Sequence, residues 1–356
     1  MGAITIIGAG PAGSRSAQLL AQRGHKVTVI EEHRCIGDPV QCTGVLTNSV
    51  NDILPVPEEC IINRIKVARI YGSANKHIDI LMKKKNIILD RAKFDRHLAS
   101  EAESAGAKFL LKEKYLSFSR NRVITNKHKL KTDFLVGADG PSSTVAKTTG
   151  MFKQRNYFTG MQARIKIKCD PDTFEVFPSE GVYGWLVPED EHTARVGVLA
   201  YENPRVHFDR LLKRRKGKIL DYNAGLIPIY DPKLNIQKNN IFLIGDAASQ
   251  VKATTGGGII YGLMAAEELV NSIELNKNYN KHCKNRFGFD LWLSLKIRQV
   301  LDKFSPKDYD DLIATFLKPK PKKIIQDFDR DFPSKFIFQL ALAEPRLLKY
   351  LLKLMR

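Results

Sequence analysis

Short apolar runs and amphipathic stretches alternate over the first thirty residues. Ala3–Ile7 and Val27–Ile30 are apolar and β-branched, as buried strands are. Between them Ala17, Leu20 and Ala21 have helical spacing within Gly13–Gln22, and Gly24 closes the helix. Strand, helix and strand in so short a span predict a βαβ unit. Farther along, strands are expected at Ile65–Tyr71, Ile78–Met82 and Ile87–Leu89. A helix is expected from Phe94 to Ala105, where Phe94, Leu98, Ala102 and Ala105 share a face and Gly106 follows. Phe134–Val136 reads as a buried strand. From Phe158 to Tyr201, alternation around Gly, Pro and Asp turns predicts a mostly antiparallel sheet. Ile241–Ile244 is one more buried strand, and a helix follows from about Ile259 to Leu275. Beyond it the pattern is helical, with joints at Pro306, Pro319, Pro321 and Pro345.

The first turn carries Gly8-Ala9-Gly10-Pro11-Ala12-Gly13, set between strand and helix. In such a loop the first glycine makes the tight turn and the second lets the backbone approach a pyrophosphate. The third lets helix and strand pack closely. Free N–H groups and the positive end of the helix dipole, from about Ala12 onward, then face the anion. Glu31 ends the second strand, where a carboxylate can accept from ribose hydroxyls; Glu32 is the second choice. A dinucleotide is therefore expected, and this motif alone leaves FAD and NAD open.

Similar pieces recur at residues 133–140 and 241–270, with sheet-like segments between them. The expectation is an α/β protein in which a discontinuous Rossmann-like domain (1–59, 86–150 and 236–275) receives an inserted, mostly antiparallel β-sheet substrate domain (60–85 and 151–235). A C-terminal helical region (276–356) completes it.

Composition narrows the setting. The 356 residues lack any run of eighteen apolar residues, so no membrane-spanning helix is expected. No basic stretch leads into an apolar one at the N-terminus, so no export signal is expected either. Five cysteines, an odd number without a Cys-x-x-Cys pair, argue against a disulfide scaffold or a metal site and fit a reducing cytoplasm. With 57 Lys+Arg against 38 Asp+Glu, the net charge of +19 favours anionic partners, although a solvated surface carries such charge equally well. RNA-recognition, KH and zinc-finger patterns are missing, so nucleic acid is not an expected partner.

Two later segments separate FAD from NAD. Val136-Gly137-Ala138-Asp139-Gly140 resembles the Asp-Gly motif of flavoprotein hydroxylases. Ile241-Phe242-Leu243-Ile244-Gly245-Asp246-Ala247-Ala248 resembles their Gly-Asp motif, in which the aspartate binds the ribityl chain of FAD. A closer resemblance, running over most of the chain, is to the geranylgeranyl reductase family within the p-hydroxybenzoate-hydroxylase-like flavoproteins. It rests on Gly37-Asp38-Pro39-Val40-Gln41-Cys42-Thr43-Gly44, on Leu89-Asp90-Arg91-Ala92-Lys93-Phe94-Asp95, and on Tyr183-Gly184-Trp185-Leu186-Val187-Pro188 with Gly197 beyond. Thr254-Thr255-Gly256-Gly257-Gly258-Ile259 resembles the Gly-rich turn beside the isoalloxazine. Val187 departs from a signature Phe, Leu199 from a Gly, and Ala253 from a frequent Pro.

The resemblance implies FAD as cofactor and reduction of C=C bonds in geranylgeranyl chains of archaeal-type ether lipids or geranylgeranyl diphosphate. Hydride would come from flavin N5. Candidate cofactor-binding residues are Gly8, Gly10, Ala12, Gly13, Glu31, Glu32, Cys42, Gly44, Arg91, Asp139, Gly245, Asp246, Gly256, Gly257, Gly258 and Ile259. Cys42 is the candidate acid or gate. Tyr183 and Trp185 are candidates to line the substrate tunnel and to stabilise developing positive charge with their ring faces. Each has a plainer reading as a packing residue. No second GxGxxG follows a strand, so the electron donor (NAD(P)H, ferredoxin or another reduced carrier, the last two suited to a basic surface) stays open. An aromatic-hydroxylase type of monooxygenase shares the FAD motifs, and a flavin-containing RNA- or membrane-binding protein is a rival from another class. Arg346, Lys349, Lys353 and Arg356 alternate with Leu347, Leu348, Leu351, Leu352 and Met355. This pattern predicts an amphipathic basic helix within 335–356 that could lie on an anionic inner membrane face.

Overall fold

The computed structural model describes residues 1–73 and 76–354. The chain begins with β1 (Ala3–Ile7), α1 (Pro11–Gln22) and β2 (Lys26–Glu31). A short β3 (Val45–Leu46) precedes the long pair β4 (Ile61–Tyr71) and β5 (His77–Leu89). After α2 (Arg91–Ser104) and β6 (Lys108–Leu111) come β7 (Tyr115–Ser119), β8 (Arg122–Thr125) and β9 (Lys129–Lys131). β10 (Phe134–Gly137) and α3 (Thr144–Thr148) return the chain to the first layer. Next are β11 (Tyr157–Lys166), β12 (Thr173–Phe177), β13 (Tyr183–Pro188), β14 (Thr193–Ala200), α4 (Pro204–Arg214) and β15 (Lys218–Pro228). β16 (Gln237–Lys238), β17 (Ile241–Leu243) and α5 (Ile259–Glu274) follow. The chain ends in α6 (Tyr279–Cys283), α7 (Phe289–Leu301), α8 (Pro306–Phe316), α9 (Pro319–Asp327) and α10 (Ile337–Ala343).

The first sheet has the order β16-β17-β10-β1-β2-β6 and is parallel except at β16–β17. β1 can be almost wholly apolar because paired strands flank it and helices cover the sheet; Ile4, Ile6 and Ile7 are buried. The chain leaves β1 toward β2 on one side and later returns to β10 on the other. This places a crevice at the carboxyl ends of β1 and β10, where ligands of such sheets bind.

The second sheet has the order β15-β11-β14-β13-β12-β4-β5-β3 and is antiparallel apart from the β12–β4 pair. Period-two alternation gives it two apolar faces. On one, Leu186, Val196 and Val198 pack with Phe208 and Leu211 of α4. On the other, Trp185, Val187 and Leu199 pack with Ile65, Phe158 and Ala253. The second face therefore reaches the Gly-rich segment ahead of α5.

The α/β architecture is the expected one, a Rossmann-like sheet, a mostly antiparallel sheet and C-terminal helices, and several elements differ in detail. Ile78–Met82 and Ile87–Leu89 belong to one strand, β5. Ile65 pairs with Asn86 but Val67 with Leu81, so the residues around Lys83-Lys84-Lys85 bulge out of the ladder into water. α2 starts earlier than its apolar face does, because Asp90 caps it and accepts from the Lys93 N–H at 3.0 Å. The β7–β9 meander and β15 add strands that the apolar pattern does not announce. Near the C-terminus, Pro345–Leu354 is a 3₁₀ segment rather than an α-helix. Lys349 and Lys353 pair with Asp311 and Asp308 of α8, at 3.4 and 3.0 Å, while Leu348, Leu351 and Leu352 are exposed. Met355 and Arg356, part of the expected amphipathic pattern, lie outside the described residues.

Candidate active site

The loop between β1 and α1 is built by close contacts that only glycine permits. Gly8 has φ +101°, and a Cβ there would meet the Ala138 carbonyl oxygen at 2.4 Å. A Cβ on Gly13 would lie 2.1 Å from the Gly8 carbonyl oxygen, so this glycine sets the contact between loop and helix. Gly10 is different: a Cβ there would meet nothing within 4 Å. Open space thus stands before the first turn of α1. Ala12 faces Gly245 and Gly262, whose own Cβ positions would lie 3.1 and 3.2 Å from its methyl. Small residues let the first and third motifs close on one another.

Glu31 is tied to the same loop. One carboxylate oxygen accepts from the Ala9 N–H at 2.9 Å, and the other from the His33 N–H at 2.9 Å. Glu32 is placed apart, 3.4 Å from the Lys114 ammonium and half-exposed. Asp139, beyond β10, accepts from the Ser143 hydroxyl at 2.6 Å and the Val145 N–H at 2.9 Å, so it shapes the start of α3. Burial raises its pKa, and those hydrogen bonds only partly offset the rise.

Asp246 stands at the third motif, with one carboxylate oxygen 2.9 Å from where a Cβ on Gly258 would be. Burial pushes its pKa up to about 6, against the pull of Arg91 and Arg155. Arg155, which sequence reasoning missed, bridges the second and third motifs. Its guanidinium donates to the carbonyls of Pro141 at 3.4 Å, Asp246 at 3.5 Å and Ala247 at 2.7 Å. Its Nε is buried without a partner among the described residues. No strand or glycine motif contains Arg155, so only the folded chain reveals it.

A second group of residues gathers opposite. Arg91 donates twice to Asp95, at 3.0 and 2.9 Å. Burial opposes its charge, but Asp95 and Cys42 outweigh that and hold it protonated. Cys42 lies beside it and its sulfur accepts from the Gly44 N–H at 3.3 Å. A Cβ on Gly44 would meet the Leu89 carbonyl oxygen at 2.9 Å, which keeps this loop against the end of β5.

Tyr183 donates its hydroxyl to the Thr255 carbonyl at 2.7 Å, which joins β13 to the Gly-rich turn. Burial pushes this phenol up to about 12, with Arg330 and Arg298 opposing. Trp185 lies 5.5 Å from Tyr183, centroid to centroid, and donates to Gln162 at 3.1 Å. The same Gln162 oxygen accepts from Thr43, next to Cys42, at 2.6 Å. Gly197 leaves room for the Trp185 ring, which would lie 2.4 Å from a Cβ there. Gly256 borders Ile227 and Leu199, while Gly257 borders Lys252. Ile259 opens α5 just beyond Gly258. Lys252 is buried in an ion pair with Asp331; burial and Arg330 pull its ammonium down to about 7, and Asp329 acts the other way.

These features fit FAD. Open space at Gly10 and helix N–H groups suit a pyrophosphate. A partly buried carboxylate with a raised pKa suits a polyol that would donate to it. The Gly-rich turn brings backbone close to an apolar face. Fold and site define an FAD-dependent oxidoreductase.

Comparisons with known proteins agree. The pyridine nucleotide-disulphide oxidoreductase family matches residues 2–167. Relatives over nearly the whole chain are digeranylgeranylglycerophospholipid reductases. That of Methanocaldococcus jannaschii is 25% identical over 98% of this chain and 96% of its own. A reductase of this name from Methanosphaera stadtmanae is 29% identical over 95% and 97%. Among solved structures, a geranylgeranyl bacteriochlorophyll reductase-like protein from Thermoplasma acidophilum superposes with a TM-score of 0.84 at 26% identity, covering 98% of both chains. A flavin-dependent brominase reaches 0.73 at 16% identity over 96% of this chain and 98% of its own, a likeness of fold.

Proposed function

We propose that this flavoprotein saturates C=C bonds in the geranylgeranyl chains of isoprenoid lipids. The observation that carries the reading is the continuity of the apolar face of Phe158, Trp185, Val187, Leu199 and Ile227 with Gly256 of the Gly-rich turn. A hydrocarbon chain lying on that face would present its double bonds beside the FAD-binding turn. Tyr183, the Trp185 N–H and Cys42 are among the polar groups at its edge. Halogenase relatives share the fold, but nothing in this cluster favours a hydroxylation reading.

Reduced FAD supplies hydride; the chain's own residues bind, orient and protonate. An isolated alkene takes up hydride only when the other carbon gains a proton, so an acid must reach the apolar face. Tyr183 is a weak candidate for that acid, since its hydroxyl is given to Thr255 and its pKa lies far above neutrality. Cys42, beside Arg91 and linked through Thr43 and Gln162 to Trp185, takes the role of acid or gate. The rings of Tyr183 and Trp185 would stabilise positive charge developing on the chain. Glu31 and Asp246 would hold the ribose and ribityl hydroxyls. Asp139 would act indirectly by fixing its loop.

The apolar C-terminal residues Leu348, Leu351 and Leu352 would rest on an anionic bilayer, from which a lipid chain could enter. Among the described residues no helix is long and apolar enough to cross a membrane. The basic surface also suits an acidic electron-carrier protein. The test of the activity is anaerobic incubation of dithionite-reduced protein with geranylgeranyl lipids, followed by mass spectrometry. Products heavier by whole hydrogen pairs are expected. Unchanged lipid with fully loaded, reduced flavin would overturn the reading.

A further inference from the structure

A polar stretch after α9, Asp329-Arg330-Asp331, crosses from the C-terminal helices to the Gly-rich segment. Asp331 is buried there. It pairs with Lys252, accepts from the Thr47 hydroxyl at 2.6 Å, and its carbonyl accepts from the Tyr261 hydroxyl. Asp329 accepts from the Asp331 N–H at 2.8 Å. With both neighbours fixed, the Arg330 guanidinium is held over the Phe174 ring, 5.7 Å from its centroid. Phe174 and Tyr183 both pack against the apolar cluster, and the charge of Arg330 is felt at Tyr183 and at Lys252.

Three other inward-facing arginines have counter-ions. Arg91 has Asp95, Arg195 has Glu189, and Arg215 has Glu175. Among the described residues Arg330 forms neither an ion pair nor a hydrogen bond; Asp329 acts on it only at longer range. Asp331, the acid that could answer it, is committed to Lys252. Arg330 is partly buried, its stem and ring-facing side against Phe174, so an anion that meets its open side gains a charge-assisted contact that water makes less well. Its planar fork of N–H donors matches the oxygens of a phosphate, and a bidentate contact satisfies it. An anion here would be attached to something apolar, because the surrounding wall is Phe174, Tyr183 and the cluster behind them.

We infer that Arg330 holds the phosphate of an anionic isoprenoid substrate at the Phe174–Tyr183 end of the apolar cluster. The inference rests on the proposed reductase activity and names the headgroup chemistry of the same site. Anchoring the phosphate there fixes the register of the chain, and with it which double bond lies nearest Gly256.

The test uses full-length, FAD-loaded protein and three probes: geranylgeranyl monophosphate, geranylgeraniol and inorganic phosphate. Binding is read from the flavin absorbance on titration, and turnover from product mass under anaerobic conditions. Wild type is expected to bind the ester at least tenfold tighter than the alcohol. Arg330→Gln should remove that preference, weakening the ester tenfold or more and leaving the alcohol within twofold. Arg330→Lys should fall between, since a point charge lacks the fork. Equal loss of both ligands, or no loss of the ester, overturns the inference. So does inorganic phosphate binding as tightly as the ester, which would make this a free-anion site. Should Arg330→Gln fail to load flavin, equal affinity of wild type for ester and alcohol overturns it without any variant. Wild type that binds the ester tightly yet adds no hydrogen would sink the reductase reading and leave the anion site standing.

Discussion

Two glycines in one motif do different work, and substitution separates them. A methyl at Gly10 enters open space, and its φ of −70° is ordinary for alanine, so the apoprotein should tolerate it. Gly10→Ala is expected to leave the urea midpoint of the apoprotein nearly unchanged while weakening FAD binding tenfold or more, read by flavin titration. At Gly13 the same methyl meets backbone, and Gly13→Ala should cost about 2–4 kcal/mol in the apoprotein, as overpacking against a fixed contact does. Asp246 offers a pH signature. Its folded pKa of about 6 exceeds the ordinary 3.8, so its contribution to apoprotein stability is greatest below 3.8 and is lost as pH rises through 6. A tenfold change in proton affinity corresponds to about 1.4 kcal/mol, and partial exposure limits the total to a value on the order of 2 kcal/mol. Asp246→Asn should therefore stabilise the apoprotein at pH 7.5, lose that advantage near pH 4, and bind FAD less well. Urea unfolding at the two pH values decides this, and a variant less stable than wild type at both would refute the account.

At the scale of elements, the β10–α3 and β17–α5 loops are held together by Arg155, through three carbonyls contributed by both. Charged donors to carbonyls contribute about 1.5–3 kcal/mol each when buried, less when partly exposed. Arg155→Gln should lower apoprotein stability by about 1–2 kcal/mol and speed FAD release several-fold, followed by stopped-flow fluorescence; Arg155→Lys should restore little, lacking the fork. Such a residue is illegible in sequence because its partners are backbone atoms more than ninety positions away in one case and fourteen in another. The βαβ unit is legible because a single apolar period and three glycines agree within thirty residues. β5 reads as two strands because its lysine bulge interrupts the apolar pattern. The β7–β9 meander is hidden because its strands are short, mix polar with apolar residues and bury few side chains, and a segment in 3₁₀ geometry leaves much the same apolar spacing as an α-helix. Of the candidate site residues, those on the glycine loops gather at one crevice, whereas Glu32 turns toward Lys114. Lys252, Arg155 and Arg330 carry no local signal at all.

For the whole molecule, the question is how a protein of net charge +19 meets a lipid substrate. Charge alone gives weak attraction to an anionic bilayer, about 1 kcal/mol for each basic residue close to the surface. Apolar contact must add to it. The C-terminal segment offers Leu342, Leu348, Leu351 and Leu352, with Phe338 nearby, all exposed. The neighbouring lysines that the sequence pattern puts on a polar face are partly spent on Asp308 and Asp311. Attachment should therefore depend more on leucine than on lysine. Burial of one leucine side chain contributes about 1.5–3 kcal/mol, so losing two of them outweighs losing two exposed charges. Leu351→Ser with Leu352→Ser is expected to lower co-sedimentation with phosphatidylglycerol vesicles at least tenfold, while Lys349→Gln with Lys353→Gln lowers it less and makes it less sensitive to salt. Because this segment packs on α7 and α10 and pairs with α8, and contributes none of the residues assigned to FAD, flavin content should be equal in all variants. Vesicle binding that follows the lysines and ignores the leucines would place the membrane contact elsewhere on the basic surface, with the eight-stranded sheet's apolar face reached by some other route.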